Sequence, residues 1–162
     1  MKKYIVLLIV IVILLIVLLV IKKRRESFIM GDLESFELFY TQGYAYNADI
    51  RYKFFHKAKD NRYVVSKKPY GKSEEETIVH EVDEEFQKEL ETILDKYKVS
   101  SWDGFNGNDK DVLDGDSFSL TIIYSIGTVH ASGYMSYPKN YGSFKTDIIN
   151  LFDNYFKNEN NM

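Results

Sequence analysis

Hydrophobic residues follow three different periods along this chain, and each period predicts a different kind of element. Residues 4–21 form an unbroken apolar run that contains only Ile, Val and Leu after the first tyrosine. At about 1.5 Å per residue, a helix of this length spans ~27 Å, close to the hydrocarbon core of a bilayer. Signal peptides have shorter apolar regions, followed by a small-residue cleavage site that is missing here. The run therefore predicts an uncleaved single-pass membrane anchor.

Apolar and polar residues alternate almost strictly over residues 44–56, which predicts a half-buried β-strand. Shorter segments with the same period predict five further strands, at residues 36–40, 62–68, 77–82, 117–124 and 128–134.

Two other segments repeat their apolar residues at helical spacing. The first follows Asp83, a favourable N-cap, and its apolar face contains Phe86, Leu90, Ile93, Leu94 and Tyr97. The second follows Pro138, and its apolar face contains Phe144, Ile148, Leu151, Phe152 and Tyr155. The element order β-β-β-β-α-β-β-α predicts an α+β fold, with two amphipathic helices that cover an antiparallel sheet of about six strands.

Composition divides the chain into an anchor and one acidic domain. We expect an anchor with its basic flank at residues 1–25, a tether at 26–33, a single domain at 34–157 and a disordered tail at 158–162. Residues 26–162 contain 24 acidic and 15 basic side chains, a net charge of −9, which disfavours nucleic acid as a partner. The chain has no cysteine, which excludes disulfides, thiolate metal sites and cysteine nucleophiles.

Charges on both sides of the apolar run bear on its orientation in the cell membrane. Four basic residues at 22–25 follow the run, and two lysines precede it. The positive-inside rule therefore favours a cytoplasmic C-terminal domain. Because both flanks are basic, the sequence leaves the side open, but either orientation makes the lipid bilayer a partner of residues 4–21.

The segment 100–118 is the richest in candidate chemistry. As a calcium loop it would use oxygen atoms of seven side chains: Asp103, Asn106, Asn108, Asp109, Asp111, Asp114 and Asp116. The EF-hand pattern fails in every register, and Asp-Gly and Asn-Gly pairs also serve simple turns. If these pairs only form turns, Trp102 and Phe105 anchor a structural corner. A third reading is a small hydrolase with a pair of catalytic carboxylates among Asp103, Asp111, Asp114 and Asp116.

Aromatic residues supply the remaining candidate site. The chain has 13 tyrosines and 11 phenylalanines, and Tyr44, Tyr46 and Trp102 could form a contact surface at the rim of the sheet. The alternative is that these rings belong to the core. The three histidines are isolated in sequence and match no zinc or hydrolase motif. The sequence thus favours a non-catalytic, membrane-tethered domain that binds a protein or an envelope ligand, with no cofactor except the alternative calcium ion.

The motifs of the C-terminal half occur in a distinctive order: WDGF at 102–105, LDG at 113–115 with FSL at 118–120, ASGY at 131–134, then Pro138 and NY at 140–141. This series resembles a module of small, often membrane- or lipid-anchored proteins of Gram-positive bacteria, a family without an assigned activity. The resemblance covers residues 84–156. It implies a bacterial membrane setting and Gly, Asp and aromatic residues that define corners of the fold.

Overall fold

The computed structural model describes residues 11–15, 30–41, 49–57, 59–112 and 114–158. Seven strands in this part of the chain form one sheet: β1 (Leu33–Thr41), β2 (Asp49–Lys57), β3 (Arg62–Lys68), β4 (Ile78–Val82), β5 (Phe105–Asn108), β6 (Ser117–Tyr124) and β7 (Gly127–Tyr134). Their order across the sheet is β4-β3-β2-β1-β6-β7-β5. The predicted meander of four strands is confirmed, and its first strand also pairs with β6.

Strand β1 lies near the middle of the sheet, and its apolar residues reach the core from every second position. Phe36, Leu38 and Tyr40 are buried, as the alternation predicts. Leu33 is also buried, although it lies three residues before Phe36, because the pairing of β1 with β6 shifts register between Leu33 and Ser35. Such an irregularity adds a residue to one strand and restores the alternation on the same face.

The prediction of a six-stranded antiparallel sheet is wrong, because the sheet is mixed and has a seventh strand. Strand β5 pairs in parallel with β7, with Phe105 opposite Ala131 and Asn108 opposite Tyr134. Its four residues, Phe-Asn-Gly-Asn, are too few and too polar to show an alternating pattern. Their extended conformation depends on pairing with a strand that lies more than twenty residues away in sequence, which local periodicity cannot reveal.

Two helices, α1 (Glu84–Lys96) and α2 (Tyr141–Asn158), lie in the predicted places. The carboxylate of Asp83 caps α1 by accepting the N–H groups of Glu85 at 3.0 Å and Phe86 at 3.2 Å. The buried residues Phe86, Leu90 and Leu94 follow the predicted face of α1. Helix α2 extends through Asn158, so it includes the first residue of the predicted tail, whereas residues 159–162 lie outside the described part.

The helices cover the sheet only in part. Both helices pack on the face that carries Phe36, Tyr52 and Phe54, through ring contacts of Phe86 and Phe152 at 5.1–6.1 Å. We call the opposite side of the sheet the open face. A 3-10 turn, Glu74–Glu76, reaches that face, where Glu74 forms an ion pair of 3.1 Å with Arg51 of β2.

The predicted anchor falls almost wholly outside the described residues, which include only 11–15 of it as a helical segment. Within the described ranges, none of the helices combines the length and the apolar character that a membrane span requires.

Several tyrosine hydroxyls end inside the core, and burial raises their pKa values. Burial raises the pKa of Tyr52, and the nearby Tyr40 and Asp153 raise it further. Burial also raises the pKa of Tyr141. On β6, burial and the carboxylates of Asp95 and Glu91 raise the pKa of Tyr124 to about 12. Each phenol therefore holds its proton more tightly in the folded chain than in the unfolded chain.

We predict that the fold fails in alkali between pH 10 and 12. The stabilisation from a protonated Tyr124 is complete below its ordinary pKa of 10.0 and is lost as the pH rises through about 12. The circular dichroism signal of the folded chain should therefore be lost in this window. Tyr124→Phe should move the midpoint to higher pH, whereas the matched change Tyr70→Phe, at an exposed ring, should not. An alkaline midpoint that Tyr124→Phe leaves unchanged would contradict this account.

Candidate functional site

The Trp-Asp-Gly-Phe segment forms a corner between α1 and β5. Lys98 has a φ of 52° and starts a 3-10 turn, Val99–Trp102, that brings Trp102 down onto α2. The indole ring is only 5% exposed and lies 5.0 Å from the ring of Phe144. Gly104 follows with a φ of 75°, a conformation that side chains disfavour. Trp102 therefore belongs to the core, and its ring has little surface to offer a partner.

Asp103 fastens this corner to β7. Its Oδ1 accepts the backbone N–H of His130 at 2.9 Å, and the next N–H, from Gly104, donates to the carbonyl of His130 at 2.9 Å. Two bonds to one residue of β7 set the register in which β5 then pairs. The carboxylate is thus engaged in a long-range structural hydrogen bond that joins the corner to β7.

Other residues of segment 100–118 make hydrogen bonds to separate partners. Asp109 accepts the backbone N–H of Asp111 at 3.1 Å, a local turn contact. The carbonyl of Asp116 accepts the N–H of Met135 at 2.9 Å, and Asn106 accepts the hydroxyl of Ser132 at 3.3 Å. Asp103, Asp109, Asp111 and Asp114 are exposed.

Among the described residues, which exclude 113 in this loop, no three His, Asp or Glu side chains cluster closely enough to hold a metal ion. The calcium and hydrolase readings stay predictions, without a geometric feature of the described loop in their favour.

The histidines lie on three strands, each beside a different group. His56 stacks on Tyr63 at 4.6 Å, and His80 meets the ring of Phe156 edge-on at 4.9 Å. His130 lies on the open face, where its Nδ1 is 3.3 Å from the hydroxyl of Thr121. The three histidines are therefore apart in the fold, as they are in the sequence.

Tyr44 and Tyr46, the other two residues of the predicted aromatic surface, lie outside the described residues. Their neighbour in sequence, Tyr40, is buried and lies 6.4 Å from the ring of Tyr52. Tyr52 in turn lies below the ammonium group of Lys67, which forms an ion pair of 2.6 Å with Asp153 of α2. These tyrosines of the first strands belong to the core side of the sheet, as the alternative reading proposed.

The open face has two chemically different halves. On β2 and β3 it is charged: Lys68, whose side chain is 4% exposed, forms an ion pair of 2.7 Å with Asp49. Arg51 lies between Glu37 and Glu74, at 3.4 and 3.1 Å, and its guanidinium carbon is 5.3 Å from the centre of the ring of Phe39. Opposite charges neutralise one another around Arg51 and Lys68, and Phe55 of β2 is 41% exposed on the same face.

The second half, formed by β5, β6 and β7, carries no charged side chain. Because neighbouring strands place paired residues on the same face, ten residues share this surface. We call it the uncharged strip, and it consists of Asn106, Asn108, Ser117, Ser119, Thr121, Ile123, Thr128, His130, Ser132 and Tyr134. In a chain with 28% charged residues, an exposed strand surface of this size would be expected to include two or three charges. The strip is therefore the most distinctive surface that the described part of the chain presents.

The uncharged strip was not among the predicted sites, although the alternation of residues on β6 and β7 contained a signal for it. The alternation in residues 117–124 and 127–134 places Phe118, Leu120 and Ile122 on the buried side. The positions that alternate with the buried ones contain no Asp, Glu, Lys or Arg. The sequence did not reveal that β5 adds two asparagines to the same surface.

Comparison of the chain with protein-family models and with curated proteins finds no match. The resemblance of residues 84–156 to a module of anchored Gram-positive proteins accordingly stays a prediction.

We predict that Asp103→Ala lowers the free energy of unfolding by about 1–2 kcal/mol, because it leaves the N–H of His130 without its acceptor. Asp114→Ala, at an exposed position of the same loop, should change it by less than about 0.5 kcal/mol. Denaturant titration should give the same loss with calcium and with a chelator. A loss that appears only with calcium would instead identify Asp103 as a ligand of the ion.

Proposed function

We propose that this chain is a single-pass, membrane-tethered domain that binds a protein or an envelope ligand through the uncharged strip and does not itself catalyse a reaction. The observation that carries the proposal is the strip: ten neighbouring side chains without a formal charge, on a sheet face that the helices leave open.

The absence of charge on the strip supports a role in binding rather than in solvation alone. Charged residues are depleted at the centres of protein interfaces, because each charge must lose its water when the partner arrives. Hydroxyl, amide and imidazole groups cost less to desolvate and can exchange hydrogen bonds with water for hydrogen bonds with a ligand. The strip offers hydroxyl and amide groups on Ser119, Ser132 and Asn106, in a row that crosses three strands, and the imidazole of His130 lies two residues from Ser132 on the same face.

Existing contacts hold part of this surface in one arrangement. The hydroxyl of Ser132 donates to Asn106, and Thr121 pairs with His130. The β5 backbone is fastened at one end by Asp103 and at the other by the N–H of Asp109, which donates to the carbonyl of Tyr134 at 3.0 Å. A surface that is ordered before binding loses less conformational entropy when a partner arrives.

The apolar run at residues 4–21 supports the membrane anchor. The five described residues of that run, 11–15, are helical, and their apolar side chains are 47–60% exposed on every side of the helix turn. Exposed Ile, Val and Leu in succession are costly in water and favourable in a bilayer. The resemblance to anchored Gram-positive proteins supports the same setting.

The anchor is tested by extraction. We expect the full chain to stay in the membrane fraction after alkaline carbonate washing, because an 18-residue apolar helix inserts essentially irreversibly, unlike a peripheral contact. A chain that lacks residues 4–21 should be released by the same wash. A matched control replaces the tether residues 26–29 with Gly and Ser, which should leave extraction unchanged. Release of the full chain would contradict membrane anchoring.

The strip is tested by site-specific cross-linking in cells, with a photoreactive residue in place of Asn108. We expect Ser119→Arg to reduce the cross-linked product about tenfold or more, because a partner would bury an unpaired guanidinium. Thr92→Arg, at an exposed position on the outer side of α1, is the matched control and should leave the product unchanged. A product that survives Ser119→Arg, or that forms equally well with the photoreactive residue at Thr92, would contradict binding at the strip.

A further inference from the structure

The chain enters the domain at a fixed point rather than through a free tether. The N–H of Ser125 donates to the carbonyl of Asp32 at 2.9 Å, and the N–H of Asp32 donates to the hydroxyl of Ser125 at 3.0 Å. Gly31, directly before Asp32, has a φ of 73°, and a Cβ at this position would come within 2.0 Å of Ser125 Oγ. Residues 30–32 are therefore fastened to the turn between β6 and β7.

That turn displays the most exposed large apolar side chain among residues 30–41, 49–57, 59–112 and 114–158. Ile126 is 66% exposed, and its N–H donates to the carbonyl of Met30 at 3.4 Å. Its Cγ1 is 3.1 Å from the Cβ that Gly31 would carry, so the side chain lies directly beside the point where the chain enters. Ile123, 40% exposed, follows on the open face of the same hairpin. An isoleucine at the tip of a turn gains nothing from water and would gain from an apolar neighbour.

The length of the segment 22–29 limits how far this turn can lie from the bilayer. Eight residues, 22–29, separate the end of the apolar run from Met30. Fully extended, this segment spans at most about 30 Å, and less in any other conformation. Lys22, Lys23, Arg24 and Arg25 take up the first half of it, where anionic headgroups attract them and shorten the reach of the rest.

We propose that the β6–β7 turn rests on the membrane that anchors the chain, with Ile126 inserted at the boundary between headgroups and acyl chains and Ile123 beside it. The contact is apolar rather than electrostatic, because Asp95 and Glu91 lie near Tyr124 at the same end of the sheet and disfavour anionic lipid. This inference rests on the membrane anchoring proposed above. It adds a second contact that fixes the orientation of the domain on the bilayer.

The chain contains no cysteine, so a single introduced cysteine can carry a fluorescent probe whose emission reports its surroundings. The full chain is reconstituted in vesicles of equal parts phosphatidylcholine and phosphatidylglycerol, with and without lipids that carry a nitroxide quencher. Three variants are compared: Ile126→Cys, Tyr70→Cys and Leu14→Cys. Ile126 and Tyr70 are both exposed, so neither replacement removes a core side chain. Tyr70 follows the end of β3 at the opposite edge of the sheet.

We expect the probe at Ile126→Cys to shift its emission to shorter wavelength and to be quenched by the nitroxide lipids, as the probe at Leu14→Cys is, while the probe at Tyr70→Cys shows neither effect. If Leu14→Cys is quenched and Ile126→Cys behaves like Tyr70→Cys, the turn does not touch lipid and only this inference fails. If Leu14→Cys itself is not quenched, the anchor fails, and the proposed function fails with it. A shift at Ile126→Cys without quenching would mean that protein, not lipid, covers the side chain.

Discussion

The packing of Phe152 is the contact on which the rest of the fold depends. Its ring lies 6.1 Å from Phe36 on β1, 5.1 Å from Tyr52 on β2 and 5.1 Å from Phe86 on α1. One side chain of α2 thus joins both helices to the two central strands. Because all four residues are at most 2% exposed, their burial supplies a large apolar area at one place. With both helices held on that side, the other face of the sheet remains open.

This core could be predicted from sequence because its information is local. Helical spacing places Phe86 and Phe152 on the buried faces of their helices, and alternation places Phe36 and Tyr52 on the buried side of their strands. The N-cap at Asp83 is local in the same sense, since its acceptor and donors are two and three residues apart. Each of these features is fixed by neighbours within one turn or one strand.

The features that sequence reasoning did not predict depend on residues that are distant in the chain. Strand β5 exists because Asp103 and Gly104 bind His130, which lies more than twenty-five residues later. The corner interpretation did place Trp102 in the core, but it did not predict that α2, which begins at Tyr141, covers the indole ring. The uncharged strip depends on this pairing, since its full width forms only when β5 adds Asn106 and Asn108 to the outward-facing residues of β6 and β7. A sequence pattern indicates which face of a single strand or helix is buried. It does not indicate which strands and helices become neighbours in the fold.

The geometry of the sheet relates the proposed lipid contact to the proposed binding surface. Strand β7 starts at Gly127, beside the turn that carries Ile126, and runs eight residues to Tyr134. At about 3.3 Å per residue, the far end of the strip lies about 25 Å from that turn. If Ile126 rests on the bilayer, the strip extends away from the membrane surface and faces sideways, parallel to the bilayer plane. Ser119 and Ser132 then lie at a height that another membrane-anchored protein can reach, and restriction to the same two-dimensional surface raises the effective concentration of such a partner. A contact too weak to form between free domains would then be sufficient, which is consistent with a proposed binding surface in which hydroxyl and amide groups outnumber aromatic rings.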